Sequence, residues 1–394
     1  MSDAGRASEA VMLRAASSEE AAALADHLAR VRRHLHARIE ATRERGTDWS
    51  FADFMNEALY APGLGYYAAG LYKFGVEGDF VTAPELTPLF GRTLGRGLAD
   101  FFSRDVLELG AGSGALAESI LAVVAPVSYR ILEPSADLAL RQRRRLEACD
   151  AARIEWLTQL PERLDGVIIA NEVLDAVPCE LVRHAGGEYW RGCVDAQGDG
   201  GFALRWKRLP EGALRSMAEQ RLPPIEGYVS EVNPQAEALV ATLAGRLADG
   251  VGIFIDYGFP RREYYLAERR DGTLACHGRH RVHFDPFARP GLDDLTAHVD
   301  FTAMAEAAVD AGCEVVCYAP LGQLLLALGL MEMLTIELEG TSDERSRTRI
   351  LSAVHRLTSP AEMGELFKAL IVGRGASARS LAERLSSIDQ SFRL

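Results

Sequence analysis

Positive charge is the scarcer sign in this chain. Its 43 Lys and Arg face 56 Asp and Glu, for a formal net charge of −13. Phosphate backbones and anionic lipid surfaces select basic faces, so general nucleic-acid binding and membrane-surface binding are disfavoured. A negative exterior favours a basic protein or peptide partner, although solubility alone accounts for it about as well. Long apolar runs are also missing: none approaches the ~20 residues that span a bilayer. The longest, around Leu321–Leu330, is interrupted by glycine and reads as a buried helix. The N-terminus shows no signal-peptide h-region, and Glu9, Glu19 and Glu20 argue against a transit peptide. The expected location is the cytoplasm, with no membrane insertion. The six cysteines, at 149, 179, 193, 276, 313 and 317, form no disulfide framework. They read as reduced, mostly buried thiols, with Cys313 and Cys317 spaced as on one helix face. No C-x2-C pair, P-loop, nucleophile elbow, internal repeat or flexible linker appears.

A chain of 394 residues with 48% hydrophobic and 25% charged residues can bury a full core. Residues 21–43 read as a helix rich in Ala, Leu and Arg. Residues 51–87 are dense in aromatics, Gly and Pro, and read mostly as turns that nonetheless pack. Leu89, Leu94, Leu98 and Phe101 fit one helix face. From 105 onward, apolar strands alternate with helices. The strands are Val106–Leu109, Tyr129–Leu132, Ile154–Leu157, Val167–Ala170, Val251–Ile255 and, last, Val315–Tyr318. The helices between them include Ser113–Val124, Leu138–Glu147 and Pro234–Leu247. That rhythm predicts an α/β fold with a mostly parallel, doubly wound sheet. Two insertions interrupt it: residues 181–225 alternate like a β-hairpin, and 259–300 are rich in Arg, His and Asp. The expected organisation is a helical and aromatic segment over 1–100, a core over 101–320 carrying both insertions, and a helical tail over 321–394. The N-terminal segment and the insertions are expected to cover the substrate.

The stretch "VLELGAGSGALA" holds Gly110, Gly112 and Gly114 behind Glu108. Gly110, Gly112 and Ala115 also satisfy a dinucleotide fingerprint, so an NAD site is one reading. A pyrophosphate, however, wants a helix N-terminus free of nearby acids. Glu108 lies two residues before Gly110, and "NEVLDAVP" packs Asn171, Glu172 and Asp175 past the end of the fourth strand. An acidic rim suits a ligand with an ammonium and a sulfonium, as in S-adenosylmethionine. Glu133, at the end of the second strand, would hold ribose hydroxyls in either site.

Several blocks together resemble the MidA-type methyltransferases, relatives of the mitochondrial complex I assembly factor that methylates an arginine. They are "FADFMNEALYAPGLGYY", "GDFVTAPELTPLFG", "VLELGAGSGALA", "IIANEVLDAVP", "IDYGFP", "GTLACHGRHRVHFDPFARPGLDDLTAHVDFT" and "MGELFKAL". They run from about residue 51 to 370, in the order of that family. Ala83, where Ser is expected, and Arg92, where an acid or amide is expected, depart mildly. The resemblance implies a class I, Rossmann-like methyltransferase core that uses S-adenosyl-L-methionine. It assigns the turn to Gly110, Gly112 and Gly114, the ribose to Glu133 and the methionine side to Asn171 and Glu172. Asp79, in "GDF", would reach the ligand as part of an N-terminal closure, or is an ordinary Gly-Asp turn. The implied substrate is an arginine of a protein, such as a respiratory-complex subunit. A non-catalytic assembly factor and a small-molecule methyltransferase remain alternatives.

A guanidinium nucleophile is charged below pH ~12 and delocalised, so it needs a carboxylate fork to hold it and to take up a proton. Glu172 and Asp175 are the candidate pair. Three residues apart, they would share a face of a helix capped by Asn171. The alternative is that they only complement that helix N-terminus. Asp256, in Asp256-Tyr257-Gly258 at the next strand end, is the third catalytic candidate, or part of a plain turn. His277, His280 and His283 invite a zinc reading, but their spacing fits neither a strand face nor an i, i+4 pair, and Arg279 and Arg281 stand beside them. No metal is expected. His298 and Asp300 form either an orienting pair or a packed strand face.

Overall fold

The computed structural model describes residues 18–70, 82–149, 154–279 and 281–394. Its strands, in chain order, are β1 Asp105–Leu109, β2 Ser128–Leu132, β3 Ile154–Leu157, β4 Leu164–Asn171, β5 Glu180–Ala185, β6 Glu188–Ala196, β7 Phe202–Arg208, β8 Tyr228–Val232, β9 Leu247–Phe259, β10 Ala275–Gly278, β11 Arg281–His283, β12 Asp294–Thr296, β13 Val299–Asp300, β14 Glu314–Pro320 and β15 Phe367–Arg374. The described residues fall into two compact units. One gathers residues from Met1–Leu71, Ala176–Ala236 and Arg262–His298, the other from Tyr72–Asp175, Glu237–Arg261 and Val299–Leu394.

The second unit is built on a sheet of order β14-β15-β9-β4-β1-β2-β3, with β13 pairing β9 at the side. The pairs β9–β4, β4–β1, β1–β2 and β2–β3 are parallel. Both partners of β15 are antiparallel to it. The chain steps outward from β1 to β2 and β3, then returns to place β4 on the other side of β1. Strand order therefore reverses between β1 and β4, the place where open α/β sheets bind ligands. Val167, Ile168, Ile169 and Ala170 of β4 are all buried, as a strand covered on both faces requires. Phe90, Leu94, Leu116 and Ile120 pack in one cluster with Val106, Ile131 and Ile253.

Each expected strand is present. The tail from Leu321, expected as wholly helical, holds helices and also β15, whose first seven residues are all buried. An apolar run of this length fits a buried strand or a buried helix equally by periodicity. The pairing of Cys313 and Cys317 on one helix face is corrected too. Cys313 precedes β14, Cys317 lies within it, and a register irregularity falls between Val315 and Cys317. All six cysteines are free thiols. The single helix read through Leu98 is two, Leu89–Gly97 and Ala99–Phe102. Among the described residues no single helix is long and apolar enough to cross a membrane.

The first unit contains the helix Ser18–Glu44, an antiparallel sheet of order β7-β6-β5-β8 and a small sheet of order β11-β10-β12. The 181–225 insertion thus supplies a meander rather than a lone hairpin. The aromatic stretch read as turns opens with a helix, Phe51–Tyr60. Its start is a capping box: Ser50 accepts from Asp53 N, and Asp53 accepts from Ser50 N. Phe54 then packs against the rings of Trp49, Phe51, Phe202 and Phe287.

Two glycines let the parallel strands enter side by side. Gly166 has φ +153° and Gly250 φ +147°. A Cβ on Gly250 would lie 2.0 Å from Gly166 O, and one on Gly166 would lie 2.1 Å from Asp105 O. Gly250→Ala is therefore expected to cost about 2 kcal/mol or more, through backbone strain and forced displacement. Gly245→Ala, where a Cβ meets nothing within 4 Å, is the control and should be neutral or stabilising. Chemical denaturation compares them; equal midpoints would remove the close-approach argument.

Candidate functional site

Strand register lines up the site. Leu109 is level with Leu132 and with Ala170, and Asn171 is level with Ile255. Gly110, Glu133, Asn171, Glu172 and Asp256 therefore sit along one carboxyl edge, on either side of the order reversal.

The glycine turn leaves β1 with Gly110 at φ +58°, Gly112 at +53° and Gly114 at +84°. These left-handed conformations suit glycine and penalise branched residues. Gly110 N donates to Leu132 O at 3.0 Å, tying the turn to the end of β2. Arg145 braces it from outside, donating to Ser113 Oγ at 2.8 Å while its charge is matched by Glu118 and Glu85. Glu108, on β1, is 2% exposed and accepts from Tyr129 Oη at 2.7 Å. Burial raises its carboxyl from an ordinary 4.5 to about 7, the Tyr129 hydrogen bond opposes the rise, and the nearby Glu133 charge adds to it.

Glu133 is held by two fixed donors, Ser135 N on Oε1 and Gln142 Nε2 on Oε2, each at 2.9 Å. Gln142 was missed in the sequence. It lies with Leu138 and Leu146 on the buried face of the helix Ala136–Leu146. A polar residue at the centre of an i, i+4, i+8 apolar stripe was the available signal.

The acids after β4 do not sit on a helix. Residues 172–179 form an irregular connection, and Glu172 has φ +53°, unusual for a residue with a side chain. Pro178, two residues before β5 begins at Glu180, leaves little room for a helical turn. Asn171 is accordingly no N-cap: its Nδ2 donates to Glu172 Oε1 at 3.0 Å. Asp256 supplies the order that a helix would have given. Its Oδ2 accepts from Leu174 N at 2.9 Å and Asp175 N at 3.2 Å, and its Oδ1 accepts from Tyr257 N at 2.9 Å. Asp256 is buried, and burial, then the charges of Asp175 and Glu172, push its carboxyl well above the usual range. Tyr257 is raised as well, by burial and then by Glu172, Asp175 and Asp256. Three carboxylates thus share one small region. Two belong to the loop, and the third holds that loop through backbone N–H groups.

The remaining candidates lie elsewhere or have other partners. Asp79 and His280 fall outside the described residues. His277 is on β10, and His283, on β11, pairs with Asp293 at 2.9 Å. Asp300 ends β13, caps the helix Phe301–Asp310 through Ala303 N and pairs with Arg261, while His298 lies outside any strand, so the two share no strand face. His298 donates its backbone N–H to Thr273 Oγ1, and burial lowers its imidazole to about 4.

A family model described as "Putative S-adenosyl-L-methionine-dependent methyltransferase" matches residues 96–319. The chain is 39% identical to a protein from Burkholderia thailandensis whose structure was determined with S-adenosyl-homocysteine bound. That similarity covers 94% of this chain and 98% of that one, with a TM-score of 0.85. It is 28% identical to a mitochondrial protein arginine methyltransferase NDUFAF7 homologue of Drosophila melanogaster, over 84% of this chain and 82% of the relative. The corresponding NDUFAF7 protein of Danio rerio is 27% identical, over 85% of each.

The edge fits S-adenosylmethionine. Asn171 Oδ1 is buried and has no hydrogen-bond partner, an acceptor at the strand end that awaits a donor. Glu108, buried and drawn toward its neutral form, suits an ammonium that would restore its charge. The acidic acceptors of the edge match amine and hydroxyl donors better than a pyrophosphate. Calorimetry is expected to show binding of S-adenosyl-homocysteine and none of NAD, with Gly112→Val abolishing it because φ +53° penalises a branched residue. Tight NAD binding would overturn the cofactor assignment. Glu108 gives a pH signature. Its folded carboxyl is raised to about 7, so its contribution to stability, complete below 4.5, is lost as pH rises through about 7. A bound ammonium reverses that shift, so binding at pH 7 releases a fraction of a proton, read from buffers of different ionisation heat. Buffer-independent heats would remove Glu108 from ligand contact.

Proposed function

Because this chain belongs to the S-adenosyl-L-methionine-dependent methyltransferase family, we propose that the acceptor of its methyl group is an arginine side chain of a protein substrate. When bound, S-adenosylmethionine supplies a methyl group on a positively charged sulfur, open to in-line displacement. The chain must bring a nucleophile into line with that bond, and alignment of this kind is worth roughly 7–11 kcal/mol. The observation that carries the arginine reading is the Glu172–Asp175 loop fixed by Asp256 beside the glycine turn. A guanidinium has five N–H donors in a planar fork, and a pair of carboxylates can hold it while one nitrogen faces the methyl. As the new C–N bond forms, the guanidinium must lose a proton, and a neighbouring carboxylate is a competent acceptor.

The roles then divide. Glu172, bonded to Asn171 at the strand end, serves the methionine portion of the cofactor. Asp175, buried within the fixed loop, meets the substrate. Asp256 holds the loop that carries both. The names of the curated relatives, protein arginine methyltransferases, support the same reading. The net charge of −13 supports a basic peptide segment as the substrate. A respiratory-complex subunit is the substrate class in keeping with the resemblance.

Two experiments test this. Mass spectrometry of proteins from a deletion strain and its parent should show a methyl-arginine lost in the deletion; an unchanged set would leave a small-molecule acceptor or a non-catalytic role. Asp175→Asn keeps the shape but removes the charge. Hydrogen bonds to charged groups contribute about 1.5–3 kcal/mol, so turnover should fall roughly ten- to hundredfold with cofactor affinity nearly unchanged. Glu172→Gln should weaken cofactor binding as well. Parental turnover in Asp175→Asn would move the substrate contact away from Asp175.

A further inference from the structure

Gln142 is fully buried, yet it is polar and its amide is completely engaged. Its Nε2 donates to Gly112 O and to Glu133 Oε2, each at 2.9 Å, and its Oε1 accepts from Trp156 Nε1 at 2.9 Å. The orientation of this amide is forced. An indole N–H only donates, and a backbone carbonyl only accepts, so a flipped amide would set donor against donor and acceptor against acceptor. Trp156 is itself held by β3, where it is level with Ile131 of β2, and the Arg143 guanidinium lies 4.1 Å from its ring centroid. A chain of fixed donors therefore runs from the third strand, through one side chain, to both the glycine turn and the acid that ends the second strand.

We propose that Gln142 is a positioning residue for the cofactor ribose. It sets the plane of the Glu133 carboxylate and locks that carboxylate to the carbonyl of Gly112. The inference rests on the reading that Glu133 accepts the ribose hydroxyls. A carboxylate free to rotate can satisfy one hydroxyl at a time. Fixed at both oxygens, by Ser135 N on one and Gln142 Nε2 on the other, it meets a vicinal diol in a single geometry. Gly112 O accepts from the same nitrogen, so ribose recognition and the shape of the glycine turn are set together.

The test compares affinity for S-adenosyl-homocysteine with affinity for its 2′-deoxy and 3′-deoxy analogues, in the full chain. In the parent protein each missing hydroxyl should weaken binding about tenfold or more. Gln142→Leu should weaken S-adenosyl-homocysteine about tenfold and should shrink the deoxy penalties toward onefold. Its effect and that of Glu133→Ala should be strongly non-additive in the double variant. Gln142→Glu keeps the shape and sets two carboxylates against each other. Its affinity should recover as pH falls and one of them takes a proton, which a merely structural role would not produce. Trp156→Phe is the milder variant if Gln142→Leu does not fold. It frees the amide to turn and should reduce the deoxy penalties in the same direction. Parental discrimination in Gln142→Leu, or in Trp156→Phe if Gln142→Leu does not fold, would overturn the proposal. So would weakened binding with the deoxy penalties intact. Parental affinity and discrimination in Glu133→Ala would instead overturn the reading of Glu133 as the ribose acid, and the proposal with it.

Discussion

Everything at the functional edge depends on the level ending of four parallel strands. β2, β1, β4 and β9 pair in regular register up to their carboxyl ends, the one irregularity lying at Leu164 and Asp165 where β4 first meets β9, so those ends place Glu133, the glycine turn, Asn171 and Asp256 in one row. Side-chain period in a strand is two, so a slip of one residue would turn each of these groups to the wrong face. The close approach of Asp105, Gly166 and Gly250 at the opposite end helps to fix that register, because no side chain can intervene there. Packing at one end of the sheet thus sets chemistry at the other.

Within the row, the ionisable groups are held by neutral backbone or amide donors more than by counter-charges. Glu133 is fixed by a backbone N–H and a glutamine, and Asp256 by three backbone N–H groups. Glu108 has a tyrosine. Pairing these acids with arginines would neutralise them and leave little attraction for a cationic ligand. Neutral donors fix the geometry of these acids without setting a counter-charge beside them. Burial, and then the neighbouring charges of Asp175 and Glu172, make an ionised Asp256 costly, and its carboxyl is raised accordingly.

Much of this was legible in the sequence because strand signals are local. Apolar runs ended by Gly110, Glu133, Asn171 and Asp256 announced both the strands and the residues at their ends. The loop after β4 was not legible: the spacing of Glu172 and Asp175 fits a helix, and only the hydrogen bonds that its backbone donates to Asp256, 81 and 82 residues away in sequence, show what orders it instead. Gln142 escaped for a related reason. A glutamine among arginines on a helix looks solvated until its partners, Gly112 and Glu133, are seen to come from other elements. β15 escaped because an apolar run does not state its own direction or neighbours.

The position of β15 has a consequence for how the chain is made. The strands that carry the edge are complete once Phe259 has been synthesised, and β1, β2, β3, β4 and β9 pair only with one another in that stretch. β14 follows at Glu314–Pro320 but has no place against β9, because β15 occupies the position between them and comes 47 residues later. From the ribosome, β14 emerges with its edges unpaired and must wait for residues 367–374 before it can join the sheet. Exposed strand edges are prone to pairing with the wrong chain. The helices between Leu321 and Leu366 are therefore made while the strand before them is unpartnered. The last fifth of the protein, from Glu314, closes a sheet whose parallel strands were all laid down before it.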